Sequence, residues 1–328
     1  MAGLLAAIAL AGCGGSDSST TGDGGGSANL TLVAYSTPRE VYEELIPMFE
    51  KTPAGKGVSF DQSYAASGEQ SRAVESGLPA DVVAFSLEPD VTRLVDADLV
   101  ASDWAKDEHK GMVSDSVVVL AVRKGNPKGI KGWDDLVRDD VEVITPNPFT
   151  SGGARWNVMA AYGAQLRMGK SEAEAVEYLT KLFHNVPVQD KSARESLQTF
   201  VGGKGDVLIA YENEAITAQQ KGEDLDYVIP DQTILIENPI AVVSESKHPE
   251  QAEAFVDFTR SKPAQEVFAR KGYRSILPEL VDAKRYPQPK TLFTIAELGG
   301  WPKVMETFFD RDNGTVAEIE RDLGAPLE

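Results

Sequence analysis

Segments typical of β-strands alternate with amphipathic helical segments through the first third of the chain. Apolar runs rich in β-forming residues cover residues 29–35, 58–63 and 81–85, and helical patterns occupy residues 41–51 and 69–76 between them. Parallel strands need a connection of about a dozen residues or more, which a helix usually supplies. The alternation therefore predicts an α/β fold in which mainly parallel sheets are flanked by helices.

A second α/β set follows the first. Strand-like runs cover residues 117–123, 141–145 and 206–211, and a long helical pattern spans residues 153–168. From Pro249 onward the pattern is helical again. Two separate sets of strands and helices predict two lobes, each with its own sheet.

Two later apolar runs, residues 233–236 and 240–243, are predicted to carry the chain back to the first set. With two crossovers between the sets, the first lobe is discontinuous in sequence. We expect lobe I to contain residues 29–116 and 232–328, and lobe II to contain residues 117–231.

The N-terminus has the pattern of an exported lipoprotein. Residues 1–12 form an apolar segment that ends in LAG directly before Cys13, the only cysteine of the chain. This order is typical of a signal peptide whose removal leaves a cysteine for lipidation. Basic residues normally precede the apolar segment, and a start codon further upstream would account for their absence. Residues 13–28 are mostly Gly, Ser, Thr and Asp and are expected to form a flexible tether.

These features predict where the protein resides. No stretch after the tether reaches the roughly 20 apolar residues that a membrane-spanning helix needs. We expect the protein in the periplasm or on the outer face of the cytoplasmic membrane, attached only through a lipid on Cys13. A single cysteine also excludes a disulfide within the chain.

Charge and histidine content exclude several function classes. The net charge of −19 and the sequence pI near 4.6 disfavour a nucleic-acid partner, because phosphate backbones require clustered Lys and Arg. The only histidines, His109, His184 and His248, lack metal-ligand spacing. We therefore expect no metal site, no cofactor and no catalytic residues. An anionic ligand would have to be held by local dipoles rather than by net charge.

Four places share one local pattern: a strand end, a short turn of small polar residues and a helix start. Their central residues are Ser36, Ser67, Ser151 to Gly153, and Ala193. The first turn of a helix leaves backbone N–H groups unpaired at the positive end of the helix dipole, so each turn can bind an anion. Any one of them is more commonly a structural helix cap. Four turns that met in one cleft would form a binding site.

Several longer motifs resemble the sulfate-binding proteins of bacterial sulfate/thiosulfate ABC importers. The motifs, in chain order, are RKGNP (123–127), VITPNP (143–148), SGGARWN (151–157), GDVLIAYENE (205–214), LFTI (292–295) and GGW (299–301). The similarity extends from about residue 30 to about residue 320. It implies a two-lobed periplasmic-binding-protein fold of type II, with two crossover strands, that closes on dehydrated sulfate.

The resemblance also implies a ligand set made of uncharged hydrogen-bond donors. Carried over by motif, the donors are Ser36, Ser67, Ser151 through its N–H or hydroxyl, Gly152, Gly153, Ala193 and Tyr211. Two positions depart from the family. Tyr211 replaces the tryptophan of the family's LIAWENE string, and Ser36 replaces an aspartate.

The implied partners are sulfate or thiosulfate and the permease and ATPase assembly of an ABC importer, with the binding protein as a monomer. Molybdate and phosphate remain alternative ligands of the same fold, and a phosphate or sulfate ester hydrolase is a more distant alternative. Three arginines that closely follow the turns, Arg39, Arg155 and Arg194, are expected to brace them through salt bridges with Asp or Glu. The alternative for these arginines is a solvated surface position.

Overall fold

The computed structural model describes residues 28–327. The predicted signal peptide, the lipidation of Cys13 and almost all of the tether lie outside these residues. Nine strands form one continuous sheet. They are β1 (Ala28–Tyr35), β2 (Val58–Ala65), β3 (Val82–Ala84), β4 (Met112–Arg123), β5 (Val143–Ile144), β6 (Val207–Tyr211), β7 (Leu225–Val228), β8 (Gln232–Val242) and β9 (Thr291–Phe293).

Helices cover both faces of this sheet. In chain order, the first five are α1 (Arg39–Phe49), α2 (Ser67–Glu75), α3 (Glu88–Asp96), α4 (Gly152–Arg167) and α5 (Glu172–His184). The next six are α6 (Ala193–Val201), α7 (Glu212–Gln220), α8 (Pro249–Arg260), α9 (Lys262–Arg270), α10 (Gly300–Phe309) and α11 (Thr315–Asp322). The α/β class predicted from the alternation is confirmed.

The strand order is β2-β1-β3-β8-β4-β6-β5, with β7 also paired to β4 and β9 to β8. In the half of the molecule that contains β1, β2 and β3, called the first half below, β1 pairs in parallel with β2 and β3, as the alternation predicted. The two long strands β4 and β8 pair with each other in antiparallel fashion at the centre. They connect the two halves of the molecule, as expected for the two crossover strands of a two-lobed binding protein.

The strand directions in the second half differ from the expectation of a mainly parallel sheet. There β4 pairs in antiparallel fashion with both β6 and β7, whereas β5 pairs in parallel with β6 and β9 in parallel with β8. The physical reason is that β4 enters this half as a direct continuation from the first half. Its direction is therefore set by the crossover and not by a strand-helix-strand connection.

The two apolar runs 233–236 and 240–243, predicted as separate segments, belong to one strand, β8. Asn238 and Pro239 between them keep the extended conformation, and both pair with β4. Proline has no N–H for the ladder, and Pro239 lies where the register of the pair shifts, between Met112 and Ser114. The short strand β9 in the C-terminal region, predicted to be helical, was also missed.

Two large clusters of buried side chains form the cores of the two halves. One is built on β1, α1, α8 and α9, and includes Phe49 and Phe255, whose ring centroids are 5.2 Å apart. The other is built on α4, α5 and β6 and contains Trp133, Trp156 and Trp301. These three tryptophans are at most 4% exposed and belong to the core.

The C-terminal segment packs on the core of the second half. Phe293, Trp301 and Phe308 belong to the same cluster as α4, and the Trp156 and Trp301 rings meet edge to face at 4.7 Å. The predicted lobe boundaries stay a prediction. We propose one change to them, namely that the chain from β9 onward belongs with lobe II rather than lobe I.

A glycine in α4 tests this packing. A Cβ at Gly163 would overlap the ring of Phe293, so we expect Gly163→Val to destabilise the protein by about 1–3 kcal/mol through overpacking. Chemical denaturation measures the change. Gly132→Ala is the matched control, because nothing lies within 4 Å of a Cβ there. Equal stability of both variants would contradict the close packing of β9 against α4.

Candidate functional site

The four predicted turns all lie at the junction of a strand or loop with a helix start. Ser36 follows β1 and precedes α1, and Ser67 is the first residue of α2 after β2. Ser151 is the N-cap of α4, and Ala193 is the first residue of α6. Since β1, β2 and the helices that follow them belong to one half, and α4 and α6 to the other, a site made by all four would lie between the halves.

The structure brings these turns together around one small cavity of about 10 Å³. It is lined by Tyr35, Ser36, Thr37, Ala65, Ala66, Ser67, Ser86, Ser151, Gly153, Ser192, Ala193 and Tyr211. None of these lining residues carries a formal charge. The volume lies below the roughly 300 Å³ at which pockets for drug-sized molecules begin, so the cavity suits a small ligand.

Six of the seven predicted binding residues line the cavity, and Gly152 is the exception. Gly152 lies where α4 approaches the loop after β3. A Cβ at Gly152 would overlap Leu87 and would come within 2.9 Å of the Ser86 hydroxyl oxygen. By contrast, a Cβ at Gly153 would meet Ala193 and Ser151 at an acceptable 3.4 Å. Gly152 therefore permits a close approach between the two halves, whereas Gly153 borders the cavity itself.

The start of α4 presents a mixed set of donors. Ser151 donates its backbone N–H to Asn147 O at 2.9 Å, so that N–H, one of the two groups predicted for this residue, is already used. Its hydroxyl oxygen caps the helix by accepting from Ala154 N–H at 3.4 Å. Among the described residues this hydroxyl donates to no acceptor, and Ser151 lines the cavity. The Gly152 and Gly153 N–H groups belong to the first turn and have no acceptor within the helix.

Ser67 offers its backbone rather than its side chain. Its hydroxyl donates to the buried Asp90 carboxylate at 2.5 Å and accepts from Ser86 N–H at 2.9 Å. Both functions of the hydroxyl are thus taken. The N–H of Ser67, as the first residue of α2, remains available to a ligand in the cavity.

The start of α6 is built in the same way as that of α4. The Ser192 hydroxyl caps the helix by accepting from Glu195 N–H at 3.2 Å. Ala193 and Arg194 follow at the first two helical positions, where backbone N–H groups lack an intrahelical acceptor. Helix starts from both halves of the molecule therefore place partial positive charge around the same cavity.

Six lining residues were not among the predicted binding residues: Tyr35, Thr37, Ala65, Ala66, Ser86 and Ser192. All of them except Ser86 lie within two residues of a predicted one and could have been included by extending the turns. Ser86 also follows the end of a strand, β3. The next helix, α3, however, begins only after Leu87. Without a helix start at that position, the pattern of strand end, turn and helix did not select it.

An ion pair closes one side of the cavity between the two halves. Arg194 donates to both carboxylate oxygens of Glu40, at 2.6 and 2.8 Å, and to Thr37 O at 3.1 Å. Lys221 is also bonded to Glu40. Burial alone would raise the pKa of Glu40, but the hydrogen bonds from Arg194 and Lys221 outweigh it and lower the pKa to about 2. The bracing predicted for Arg194 is confirmed.

The other two arginines differ from each other. Arg155 is buried and braces its turn by donating to Pro148 O at 2.9 Å, with its guanidinium 5.5 Å from the Phe309 ring centroid. Arg39 is exposed, as the alternative of a solvated surface position expected, with its guanidinium 4.8 Å from the Tyr64 ring centroid. Among the described residues neither makes a salt bridge, so the predicted ionic contact is wrong for both. Backbone carbonyls and aromatic rings are the partners nearest to them.

Glu214 lies beneath the ion pair and is 2% exposed. Its Oε1 is 4.0 Å from Nε of Arg194. Burial raises the pKa of Glu214 to about 7, even though the Arg194 guanidinium lowers it. The folded protein therefore keeps this carboxyl protonated at pH values where an unfolded chain has already lost the proton.

No cluster of His, Cys, Asp and Glu suited to a metal ion occurs within residues 28–327. None of the residues that line the cavity has a carboxylate, imidazole or thiolate side chain, the groups that most often bind metal ions in proteins. An uncharged cavity rich in donors, at the positive ends of several helices, is suited to a small anion.

Substitutions of the two glycines at the start of α4 distinguish the close approach of the two halves at Gly152 from the border of the cavity at Gly153. We expect Gly152→Ala to hold the halves apart and to lower thermal stability, because its methyl group would overlap Leu87. Gly153→Ala should keep the stability of the parent protein, because its methyl group fits. Differential scanning calorimetry distinguishes the two. The opposite order of melting temperatures would rule out this packing of α4.

The raised pKa of Glu214 gives a prediction about pH. The ordinary pKa of this carboxyl is 4.5. As the pH rises from 4.5 to about 7, the unfolded chain loses the Glu214 proton before the folded protein does. Glu214 therefore lowers the free energy of unfolding across that window. Glu214→Gln removes the effect. We expect the variant to gain up to about 3 kcal/mol relative to the parent across this window and nothing further above it. Urea titrations at several pH values test this, and a constant difference would refute it.

Comparisons with known proteins agree with the fold. The chain matches the family of bacterial extracellular solute-binding proteins over residues 30–274. A sulfate-binding protein from Synechococcus elongatus is 44% identical, covering 96% of this chain and 93% of the relative. A thiosulfate-binding protein from Pseudomonas aeruginosa is 35% identical, covering 90% of this chain and 94% of the relative.

Among solved structures, the sulfate-binding protein SubI from Mycobacterium tuberculosis H37Rv is similar with a TM-score of 0.84 and 44% identity. The similarity covers 86% of this chain and 100% of that one. These matches confirm the resemblance that the sequence motifs indicated. The family match spans most of the chain, and the fold of two halves around a donor-lined cavity agrees with it. This chain therefore belongs to the bacterial extracellular solute-binding protein family.

Proposed function

We propose that this protein captures sulfate between its two halves and delivers it to an ABC importer. The observation that carries the proposal is the convergence of helix starts from both halves on one small cavity without a charged lining residue. Relatives that share at least 35% of their residues with this chain are named sulfate-binding or thiosulfate-binding proteins. Capture is reversible and involves no covalent chemistry.

The ligand contacts follow from the donors around the cavity. We assign ligand contacts to the N–H groups of Ser67, Gly153 and Ala193, the hydroxyl of Ser151 and the phenol of Tyr211, with Ser36 at the start of α1. Gly152 contributes its N–H and the close approach of α4. A hydrogen bond to a charged group contributes roughly 1.5–3 kcal/mol. About seven such bonds offset much of the dehydration of a dianion and leave micromolar-class binding, about 8 kcal/mol.

A protein with a net negative charge can hold a dianion in this way because the dipoles nearest to the ligand dominate the electrostatic field that it experiences. The lining offers several helix N-termini at contact distance, whereas the acidic residues that produce the net charge of −19 lie mostly in solvent, which screens them. Inside the cavity little water competes for the N–H groups, and their dipoles act at full strength. The lining therefore needs no cationic side chain.

Closure and capture are coupled, since the site is complete only when the halves meet. Ser36 and Ser67 lie in one half, and Ser151, Ala193 and Tyr211 in the other. The ion pair of Arg194 with Glu40 forms between the same two halves. Ligand contacts from both sides shift the population toward the closed state, and opening at the importer releases the ion.

Sulfate is favoured over hydrogen phosphate by the excess of donors in the wall. A ligand that brings its own O–H needs an acceptor, and backbone N–H groups offer none, so that proton would be buried without a partner. Thiosulfate has no such proton, and one of the relatives above is named for it. We therefore propose sulfate as the principal ligand and thiosulfate as a second one.

The attachment to the membrane is proposed from the sequence of the N-terminus. Cys13 follows an apolar segment in the order typical of lipoproteins, and a Gly- and Ser-rich tether separates it from the folded part. Within the described part of the chain, no helix has the length and apolar character to cross a bilayer. We propose that a lipid on Cys13 keeps the protein, as a monomer, at the outer face of the membrane near its importer.

Replacing Ala193 by proline tests the site, because proline removes one backbone N–H at the first position of α6. Proline is favoured at that helical position, and Ser192 before it is already extended, with φ −137° and ψ 159°. We expect an intact fold and sulfate affinity roughly tenfold to a hundredfold weaker, measured by calorimetric titration.

Glu172→Pro is the matched control, because Glu172 is the first residue of α5 and also follows an extended serine. It should bind sulfate as the parent does. Titration of the parent with sulfate, thiosulfate, molybdate and phosphate checks the ligand itself. Tighter binding of phosphate or molybdate than of sulfate would overturn the proposed specificity, and unchanged affinity of the Ala193→Pro variant would overturn the assigned site.

A further inference from the structure

Two hydroxyl groups meet in the wall of the cavity. The Ser86 Oγ and the Tyr211 hydroxyl oxygen are 2.6 Å apart, and both residues are 1% exposed. Ser86 comes from the loop after β3 in one half, and Tyr211 from the end of β6 in the other. Both residues line the cavity. This hydrogen bond therefore joins the two halves inside the proposed binding site.

The position of Ser86 is fixed by its backbone. Its N–H donates to the Ser67 hydroxyl at 2.9 Å. Its carbonyl accepts from Trp156 Nε1 at 2.8 Å and from Asn238 Nδ2 at 2.9 Å. Trp156 belongs to α4 and Asn238 to the crossover strand β8. Bonds from three elements thus hold the Ser86 side chain at one place in the wall.

The Ser86 hydroxyl also lies beside the start of α4. A Cβ built on Gly152 would be 2.9 Å from Ser86 Oγ, and one built on Gly153 would be 3.7 Å from Cε1 of Tyr211. The two hydroxyl-bearing side chains therefore flank the N–H groups that the proposed function assigns to the ligand. A small anion at that helix start is within reach of either hydroxyl.

The number of protons in the pair determines what it can donate. Two hydroxyls carry two protons, and the bond between them uses one, whichever oxygen is the donor. Among the described residues, Tyr211 is the only side-chain partner of Ser86 Oγ. One proton is therefore left over in either arrangement, and because both side chains line the cavity, an oxyanion held there can accept it. The pair acts as a single donor.

We propose that Ser86 is a ligand-binding residue of this site and shares one donor proton with Tyr211. The proposal rests on the proposed function, since the acceptor is an oxygen of the captured oxyanion. Either residue alone still carries one proton, so each can replace the other as the donor. Tyr211 is thus not the sole donor at its end of the cavity.

A double-mutant cycle with Ser86→Ala, Tyr211→Phe and the combined variant tests this inference by calorimetric titration with sulfate. We expect each single variant to bind within about threefold of the parent, because one proton still faces the ligand. The combined variant should bind roughly tenfold to a hundredfold more weakly, because the donor is lost. Near-ultraviolet difference absorbance on sulfate addition should report the tyrosine in the Ser86→Ala variant and be lost in the combined one.

Ser275→Ala is the matched control, since Ser275 is also a buried serine with a hydroxyl that donates to a side chain, Gln265, but lies outside the cavity. It should bind as the parent does. Two results would overturn the inference: the full loss in Tyr211→Phe alone, with no further loss in the combined variant, or parent-like binding in all three. Failure of the proposed function looks different, because the parent itself would then bind no sulfate.

Discussion

The free N–H groups at helix starts are the interaction on which the rest of the structure depends. An ion taken out of water needs close partners, and a lining without charge can supply them only through dipoles that are already oriented. Capping by Ser151 and Ser192 satisfies the third N–H of α4 and α6 and leaves the earlier ones to the cavity. The same serines therefore stabilise the helices and keep the ligand-facing donors in position.

The crossover strands make this arrangement possible. Because β4 and β8 run through both halves, the helix starts on each side approach one another without a separate hinge domain. Polar contacts join the halves around the cavity, among them Arg194 with Glu40, Ser86 with Tyr211, and the Trp156 indole with Ser86 O. Interfaces between the domains of one chain are commonly polar in this way, which suits relative motion of the halves.

Much of this could be predicted from the sequence, because local chemistry determines it. Strands, helices and four helix starts follow from apolar periodicity and from serine, glycine and proline at turns. What could not be predicted depends on distant contacts. Ser86 has no local signal, since its partners lie 19 to 152 residues away. The docking of Trp301 on Trp156 likewise joins segments that no local pattern connects.

The ion pair between the halves shows how a charged group can serve an uncharged site. Arg194 directly follows Ala193, yet its guanidinium turns away from the cavity to Glu40 and Thr37 O. Its positive charge is neutralised there, so it neither attracts anions indiscriminately nor requires a ligand for its own stability. Its contacts with Glu40 and Thr37 fix the position of Arg194, and with it the position of the neighbouring Ala193 N–H relative to α1. Selectivity then rests on the geometry of the donors, which distinguishes oxyanions by their protons and shape, whereas a free cation would bind any of them.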